Sequence, residues 1–310
     1  MHRFSKLLSI AVLLVGGAFF FVAVPGDLTV RSARRAWDLG HVAFFFAATL
    51  VFIKWGWRAK AGSYVRLWAL TVAGVTLIGL GVEGMQAQLG RSAEPSDLLR
   101  NLVGAVLALA FFGTDGTRLA RWMLTASRAA AILLLLGAVS PLVVALSDEI
   151  AASRAFPVLS DFETPFQLSR WESDVVLSVE RNTVRAGTGA LRVPLSTARY
   201  SKASLEFFPG DWSGASVLLA SVFNPDTRAM PLNVRVHDEW HDEHGQSYAD
   251  RFNSVFTITA GWNDLRIPLS EIAAGPRERM MDLSQIAGLS FFTVELPEPR
   301  TIFIDQVELR

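Results

Sequence analysis

The stretch AAAILLLLGAVSPLVVAL, residues 129–146, contains no charged residue and is followed directly by the polar segment SDEIAASR, residues 147–154. A bilayer core of about 30 Å requires roughly 20 mostly apolar residues in a helix. The stretch has no polar stripe at helical spacing, which a helix of a water-soluble bundle would need. It therefore predicts a transmembrane helix, and it marks the boundary between two physically different halves of the chain.

Four further apolar runs lie upstream, at Leu7–Val24, Leu39–Ile53, Leu67–Val82 and Leu98–Phe112. The first run is longer than the core of a signal peptide and has no clear cleavage site, so an uncleaved signal anchor is expected rather than a cleaved one. With the stretch at 129–146, the runs predict an all-α bundle of five transmembrane helices over residues 1–147, with the lipid bilayer as its surroundings.

The basic residues between these runs predict the orientation of the chain. If the N-terminus is cytoplasmic, nine of them fall in cytoplasmic segments and six fall outside. Cytoplasmic loops of membrane proteins carry the excess of lysine and arginine. The expected location is therefore the inner (cytoplasmic) membrane, with a cytoplasmic N-terminus and an extracytoplasmic C-terminal half.

The composition separates the two halves further. Of the 310 residues 51% are hydrophobic and none is cysteine, which excludes disulfides, thiolate metal sites and a cysteine nucleophile. Residues 1–150 carry 14 basic and 8 acidic residues, a net of +6, whereas residues 151–310 carry 15 and 21, a net of −6. An acidic half without a basic run does not favour nucleic-acid binding, because phosphate neutralisation dominates that affinity.

Polar residues gather at the predicted extracytoplasmic ends of the apolar runs. They are Asp38, His41, Glu83, Gln86, Arg91, Asp97 and Asn101. A charge at membrane depth is costly and usually faces a partner or a cavity. His41 could act as an acid–base pair with Glu83 or Asp97, so these three are the candidate catalytic residues. Arg91 suits a phosphate. The alternative is an interhelical polar clamp, in which Glu83 with Arg91 and Gln86 with Asn101 only lock helices together.

At these residues the chain resembles the VanZ-like family of small membrane proteins, over roughly residues 20–115. The matching pieces are WDLGH at 37–41, EGMQ at 83–86, Arg91 and DLLRNLVG at 97–104. The family usually has an Asp-Lys pair ahead of the histidine, and the lysine is absent here. The resemblance implies a membrane fold with a polar site and, through the family's founding member, a link to tolerance of the glycopeptide antibiotic teicoplanin. It implies no reaction.

The second half begins with a predicted linker at 148–157 and continues as short alternating runs. These predict strands at Val175–Val179, Gly189–Val193, Ser204–Phe208, Ser216–Phe223, Leu232–Val236, Ser254–Ile258, Asp264–Ile267, Gly288–Val294 and Thr301–Leu309. Only Ser270–Ala274 and Asp282–Ala287 look like helical turns. Many short, evenly spaced strands predict an all-β sandwich over residues 158–310.

The order of motifs in this half resembles carbohydrate-binding modules of the galactose-binding-like jelly-roll type. The motifs include LSDFE at 159–163, RAGTGALRV at 185–193, GWN at 261–263 and IDQVEL at 304–309. The resemblance implies an all-β jelly roll. It also implies a structural calcium that ties the first strand to the last through Asp161, Glu163 and Asp305, with carbonyl oxygens of the 187–189 turn. Ordinary turn chemistry by surface acids is the alternative.

The run HDEWHDEH at 237–244 and the strand after it carry the candidate glycan-binding residues. They are Arg235, His237, Trp240, His241, Tyr248, Arg251 and Asn253. Aromatic faces stack on sugar rings, while planar polar groups bond to hydroxyls. Two alternatives stay open, namely a zinc or copper site at the three histidines of the run, and a salt-bridge network of Asp238, Asp250 and Arg251 that braces the sandwich.

Two functions therefore compete. The first is a non-enzymatic protein of the cell envelope, whose membrane anchor displays a jelly roll. The jelly roll would bind a glycan, a glycolipid head group or a partner. The processes considered for it are envelope polysaccharide metabolism and antibiotic tolerance. The second is a membrane-embedded enzyme or carrier for a lipid-linked saccharide precursor. In that function His41 and Glu83 would move protons, Arg91 would hold a phosphate and the sandwich would capture the glycan.

Overall fold

The computed structural model describes residues 16–17, 30–88, 95–113 and 120–310. The chain divides into two compact units, Met1–Leu146 and Ser147–Arg310. Wherever it is described, the first unit is built of helices. They comprise Arg31–Asp38, Gly40–Phe52, a π-helical turn Ile53–Trp57, Arg58–Ala61, Tyr64–Gln88, Pro95–Phe112 and the greater part of Arg121–Ala155.

The prediction of five membrane-spanning helices is only partly confirmed. Three helical stretches, Arg31–Trp55, Tyr64–Gln88 and Arg121–Ala155, are long and apolar enough to cross a membrane. They contain the second, third and fifth predicted runs. The fourth predicted run lies in the helix Pro95–Phe112, which is not among these three. The first, Leu7–Val24, lies outside the described residues except for Gly16 and Gly17. The helical region is thus established, and a five-helix bundle is not.

Small residues bring two of these helices close together. A Cβ atom on Gly104 would overlap the carbonyl oxygen of Val42 on the helix Gly40–Phe52. Close packing places Ala105 against Phe45 and Val75 in a small core. On the helices Tyr64–Gln88 and Arg121–Ala155 several leucines and isoleucines are more than half exposed, including Leu77, Ile78, Leu133 and Leu136. Exposed apolar surfaces of this kind mark a membrane or protein contact.

The predicted linker at 148–157 is wrong over most of its length. Residues 148–155 form the last turns of the helix Arg121–Ala155, and from Ser147 onward these turns belong to the second unit. Within these turns Asp148, which is almost fully buried, forms an ion pair with Arg170 of the same unit at 2.8 Å. A flexible linker would leave both charges in water.

The second unit is a sandwich of two antiparallel sheets. Its strands are β1 Val158–Ser160, β2 Trp171–Ser173, β3 Ser178–Glu180, β4 Ala190–Leu195, β5 Tyr200–Leu205, β6 Val217–Asn224, β7 Met230–Asp238, β8 Phe252–Ile258, β9 Gly261–Pro268, β10 Ile286–Val294 and β11 Arg300–Leu309. One sheet has the order β3-β4-β11-β6-β9, with β1 also paired to β11, and the other has the order β2-β5-β10-β7-β8. The two sheets enclose a single apolar core that includes Trp171, Trp212 and Phe291.

Candidate functional site

The outer face of the five-stranded sheet follows from its register. Arg235 on β7 lies opposite Asn253 on β8, while the neighbouring residues Val234, Val236 and Phe252 are buried in the core. Because side chains alternate along a strand, Arg235 and Asn253 point away from the core. The residues that share this surface, called the outer face below, are Glu172, Tyr200, Lys202, Ser204, Asn233, Arg235, Asn253, Val255, Ser290, Phe292 and Val294.

The outer face mixes polar groups with aromatic rings. Ser204 and Ser290 are hydrogen-bonded to each other at 2.8 Å in the middle of the sheet. Tyr200 and Phe292 lie with ring centroids 6.3 Å apart, and Tyr200 is half exposed. Tyr248, just before β8, is two-thirds exposed, and its ring centroid lies 5.1 Å from the guanidinium carbon of Arg251. Rings beside amides and guanidinium groups suit the two faces of a sugar.

Of the predicted glycan-binding residues, the structure brings Arg235, Arg251, Asn253 and Tyr248 together at one end of this face. His237 lies in the next position of the same register, opposite Gly288, and a Cβ on that glycine would overlap its ring. Gly288 therefore makes room for the imidazole on the sheet. The Nε2 atom of His237 is 3.2 Å from Asp242.

The other two predicted residues are placed differently. His241 lies on the short helix Glu239–Glu243 and is fully buried, with its Nδ1 3.0 Å from the carbonyl oxygen of Asp250. Burial, followed by the nearby His237, lowers the pKa of His241. Trp240 is half exposed, but His244 stacks on one side of it at 3.5 Å. His241 thus braces the loop, and the ring of Trp240 also lies near Arg279, whose guanidinium carbon is 6.0 Å from the ring centroid.

The histidine run does not build the zinc or copper site considered as an alternative. Across residues 30–88, 95–113 and 120–310, no three His, Asp or Glu side chains are grouped so that they could hold a metal ion. His244 is engaged with Trp240, and its Nδ1 lies 2.9 Å from that residue's carbonyl oxygen. The three imidazoles serve separate local contacts.

The bracing network is present, but its cation differs from the expected one. Arg279, in the loop before β10, binds both carboxylates, at 2.6 Å to Asp238 and 2.6 Å to Asp250. Arg251 takes no part in it. Asp238, which is fully buried, also accepts the backbone N–H groups of His241 and Asp282. The sequence held no local signal for Arg279, since it lies about forty residues downstream of Asp238.

Sequence reasoning missed two acidic residues of the outer face, Glu172 and Glu206, which lie toward the edge of the sheet formed by β2 and β5. Glu206 directly follows β5, where the register places it opposite Gly288 and so in line with His237. Burial, assisted by the negative charge of Glu172, raises the pKa of Glu206. Only the order of non-consecutive strands could have revealed that these side chains share a face with Arg235.

The three predicted calcium ligands hold a loop through N–H donors. Glu163 accepts from the backbone of Thr188 and Gly189, and Asp305 accepts from the backbone of Arg185 and Ala186. Asp161 accepts from the amide of Gln167. A calcium ion needs six to eight converging oxygens, whereas these carboxylate oxygens already face hydrogen atoms. The residues as placed do not fit the ion, and calcium stays a prediction that this geometry does not favour.

In the first unit, part of the predicted polar cluster comes together around His41. Its Nδ1 lies 2.9 Å from Oδ1 of Asn101, and its Nε2 lies 3.3 Å from Oδ2 of Asp97. Arg100, which was not predicted, binds Asp97 and reaches Asp38 at 3.2 Å. These contacts tie the helices Arg31–Asp38 and Gly40–Phe52 to Pro95–Phe112 through pairs other than those of the clamp alternative, which stays a prediction.

For the remaining members of that cluster, the structure gives the position and burial of Gln86 and Glu83 only. Gln86 is buried and Glu83 is half-buried near the end of the helix Tyr64–Gln88. Arg91 lies outside the described residues. The phosphate-binding role expected for that arginine therefore stays a prediction.

Comparison with known proteins concerns the sandwich alone. Residues 226–310 match the profile of Carbohydrate binding domain 30. No curated protein matches the chain. Among solved structures, the chain is similar to a family 11 carbohydrate-binding module from Clostridium thermocellum in complex with a beta-1,3-1,4-mixed-linked tetrasaccharide, with 17% identity, a TM-score of 0.39 and coverage of 49% of this chain and 93% of that one.

Two further structures are similar over the same half. A family 30 carbohydrate-binding module of a cellulosomal cellulase from Clostridium thermocellum shares 15% identity, with a TM-score of 0.34 and coverage of 45% of this chain and 86% of that one. An exo-beta-agarase shares 18% identity, with a TM-score of 0.40 and coverage of 49% and 24%. Residues 226–310 thus carry the sequence pattern of a carbohydrate-binding module, within a sandwich of two antiparallel sheets.

Proposed function

We propose that the chain is a multi-pass membrane protein that displays a glycan-binding β-sandwich in the cell envelope, and that the glycan lies on the outer face of the five-stranded sheet. The observation that carries the proposal is the row of polar side chains across that face, flanked by the exposed rings of Tyr200 and Tyr248. The match of residues 226–310 to a carbohydrate-binding family supports the same role.

Unsatisfied polar atoms support sugar binding at this place. Oδ1 of Asn253 and Nδ1 of His237 are buried and have no hydrogen-bond partner among the atoms of the sandwich. A buried acceptor without a partner costs free energy, and the hydroxyl group of a ligand would supply the missing donor. The exposed ring of Tyr248 lies beside them and could cover the apolar side of a sugar ring.

The membrane part of the proposal rests on composition and exposure. Three helices have the length and hydropathy of membrane spans, and their exposed leucines would be covered by lipid. The excess of basic residues in alternate segments supports an extracytoplasmic sandwich, which is where envelope glycans occur. A part in envelope polysaccharide metabolism or in antibiotic tolerance follows as an extension of this location.

Replacing Tyr248 by alanine tests glycan binding directly. We expect the full-length chain, purified in detergent, to bind at least one member of a panel of soluble neutral and acidic polysaccharides. The variant should bind that polysaccharide about fivefold more weakly, because one stacked ring contributes about 1 kcal/mol. Affinity is measured by isothermal titration calorimetry.

The matched control is Val176→Ala, which also removes an exposed apolar side chain, 86% exposed, from the loop between β2 and β3; Val176 is not one of the outer-face residues. Its affinity should equal that of the unsubstituted chain. The labelled polysaccharide should also bind right-side-out spheroplasts and not inverted vesicles. If no polysaccharide is retained, glycan binding is excluded; if binding is confined to inverted vesicles, the proposed orientation is wrong.

A second candidate function is the membrane-embedded enzyme or carrier for a lipid-linked precursor. One observation favours it, since His41 has a carboxylate on one ring nitrogen and an amide on the other. A histidine oriented in this way can exchange protons. Glu83 and Asp97 would be its partners in such chemistry, and Arg91 would hold the phosphate.

Replacing His41 by alanine separates the two roles of this cluster. We expect the amount of protein in the membrane to fall several-fold, because the substitution leaves the buried Asn101 and the half-buried Asp97 without their shared partner. Quantitative immunoblotting measures this, with Gly74→Ala, whose added methyl group meets no neighbour, as the control. Loss of antibiotic tolerance at unchanged protein amount would instead favour proton chemistry.

A further inference from the structure

Two arginines lie side by side at one end of the outer face. Arg235 is paired with Asn253 in the register of β7 and β8, so Arg251, two residues before Asn253, is its diagonal neighbour on the same face. Side chains in such positions are about 7–8 Å apart at the backbone, which is within reach of long side chains. The two guanidinium groups repel each other enough to contribute, after burial, to a lowered pKa of Arg235.

Neither guanidinium group is neutralised by a carboxylate. Among the residues that the structure describes, no Asp or Glu forms an ion pair with Arg235 or with Arg251. Both side chains are partly buried, and the Nε atom of each is enclosed without a hydrogen-bond acceptor. A guanidinium nitrogen of Arg235 lies 3.5 Å from Nε2 of His241. A partly buried cation without a counter-charge is costly, so proteins usually provide one.

In the described part of the chain, no acid around this pair forms an ion pair with it. Asp242 acts on Arg235 through space, but its carboxylate oxygen lies 3.2 Å from Nε2 of His237. Glu206 also acts on Arg235 through space, and burial raises the pKa of its own carboxyl group. Arg251 is influenced electrostatically by the phenol groups of Tyr248 and Tyr200, and neither is a carboxylate.

We propose that the outer face binds an acidic saccharide, with the anionic group of the sugar held between Arg235 and Arg251 and the sugar ring beside Tyr248. Guanidinium groups bind carboxylates by two parallel hydrogen bonds, which would satisfy the enclosed Nε atoms. Asn253, which lies opposite Arg235 and two residues after Arg251, would bond to a neighbouring hydroxyl. The inference rests on the proposed glycan binding and specifies the class of glycan.

A uronic acid and a sulfate ester present the same chemistry to two arginines. The carboxylate is the better fit, because its planar pair of oxygens matches the planar fork of a guanidinium group. Each alternative has a matched neutral saccharide. A uronate chain can be reduced at its carboxyl groups, and a sulfated galactan can be desulfated, with the backbone unchanged.

The test compares these pairs on the full-length chain in detergent by calorimetry. The probes are oligogalacturonate, alginate and hyaluronan oligosaccharides and a carrageenan oligosaccharide, each with its carboxyl-reduced or desulfated counterpart. We expect at least one acidic probe to bind tenfold or more tightly than its neutral counterpart, with an affinity that falls as salt is added. A preference confined to carrageenan assigns the anion as sulfate and still supports the arginine pair.

Substitutions connect the preference to the two arginines. Arg235→Gln and Arg251→Gln should each weaken binding of the acidic probe about tenfold and leave the neutral counterpart nearly unaffected. Arg251→Lys, which keeps the positive charge, should lose less affinity for the acidic probe than Arg251→Gln does. Arg266→Gln, on β9 of the other sheet, is the control and should change nothing. Thermal unfolding of each variant establishes that it is folded.

Two results overturn the inference in different ways. Equal affinity for acidic and neutral counterparts, or an acidic preference that survives both glutamine substitutions, excludes the anion site while glycan binding stands. Failure to bind any probe or any neutral polysaccharide of the panel excludes glycan binding itself and the acidic specificity with it.

Discussion

Replacing Arg279 by alanine should lower the free energy of unfolding of the sandwich by about 3 kcal/mol, at the lower end of what removal of one partner of a buried ion pair costs. The guanidinium group of Arg279 binds two carboxylates at once, and one of them, Asp238, is fully buried. Without Arg279 that charge keeps only the two backbone N–H groups of His241 and Asp282. The loss is measured by pulse proteolysis of the full-length chain across a urea series.

Arg310→Ala is the matched control for this prediction. Arg310 also pairs with a carboxylate, Glu308 at 2.6 Å, but its side chain is 68% exposed. Exposed pairs contribute 0–1 kcal/mol, roughly, because water screens them. Equal losses for the two variants would show that Arg279 is no more than a surface cation.

The same network sets the dependence of stability on pH. Burial alone raises the pKa of Asp238, but the hydrogen bonds from Arg279 and from the two backbone amides outweigh it, and the net pKa is lowered. The hydrogen bonds from Arg279 likewise lower the pKa of Asp250. A carboxyl group with a lowered folded-state pKa stabilises the fold above its unfolded pKa of about 3.9, and that stability is lost as the pH falls through the folded value. Removing Arg279 should therefore also weaken the acid dependence below that pH.

Alternation along the sequence predicted the strands that have one buried side. The predicted strand Leu232–Val236 lies within β7, and the predicted strand Ser216–Phe223 nearly coincides with β6. Both were predicted because alternate residues there enter the core. The strand β2 has only three residues, too few for alternation to be visible. Of the two predicted helical turns, Ser270–Ala274 corresponds to the helix Leu269–Ala273, whereas Asp282–Ala287 is wrong, because β10 already begins at Ile286.

The site was predictable only where its residues are neighbours in sequence. Arg235 and Asn253 lie on two consecutive strands and Arg251 directly precedes the second, so a hairpin argument was enough to bring them together. The outer face is completed by β5 and β10, and β10 lies between β5 and β7 in the sheet although it comes last of the three in the chain. Tyr200 and Phe292 reach the face through that order alone. No local pattern specifies which distant strands pair, since the choice depends on packing of the whole core.

The buried pair Asp148–Arg170 leads to the second prediction with a large effect. Nε of Arg170 donates to both carboxylate oxygens of Asp148, at 2.9 and 3.0 Å, and both side chains are only 2% exposed. Arg170→Met or Asp148→Leu should each lower the free energy of unfolding by about 3–5 kcal/mol, because each removes one partner of a buried ion pair. Pulse proteolysis in urea measures both variants.

The double variant distinguishes an ion pair from two independent contacts. Once neither charge remains, the desolvation cost of the pair disappears, and well-packed apolar residues can be nearly as stable as the original pair. Combining Arg170→Met with Asp148→Leu should therefore cost less than either substitution alone, although the carbonyl oxygen of Leu159 loses the bond donated by Arg170. A loss equal to the sum of the two single losses would contradict the coupling.

The position of this pair also predicts which residues should exchange hydrogen faster when the pair is lost. Asp148 lies in the final turns of the helix Arg121–Ala155, which belong to the second unit, and Arg170 directly precedes β2. If the ion pair holds these turns to the sandwich, hydrogen exchange at residues 148–155 should accelerate in each single variant and return towards its original rate in the double one. The exposed pair Arg185–Asp264, at 2.7 Å, is the control, since breaking it should leave exchange in these turns unchanged. If hydrogen exchange at residues 148–155 stayed slow in both single variants, apolar packing alone would hold the helix end, and the ion pair would not contribute.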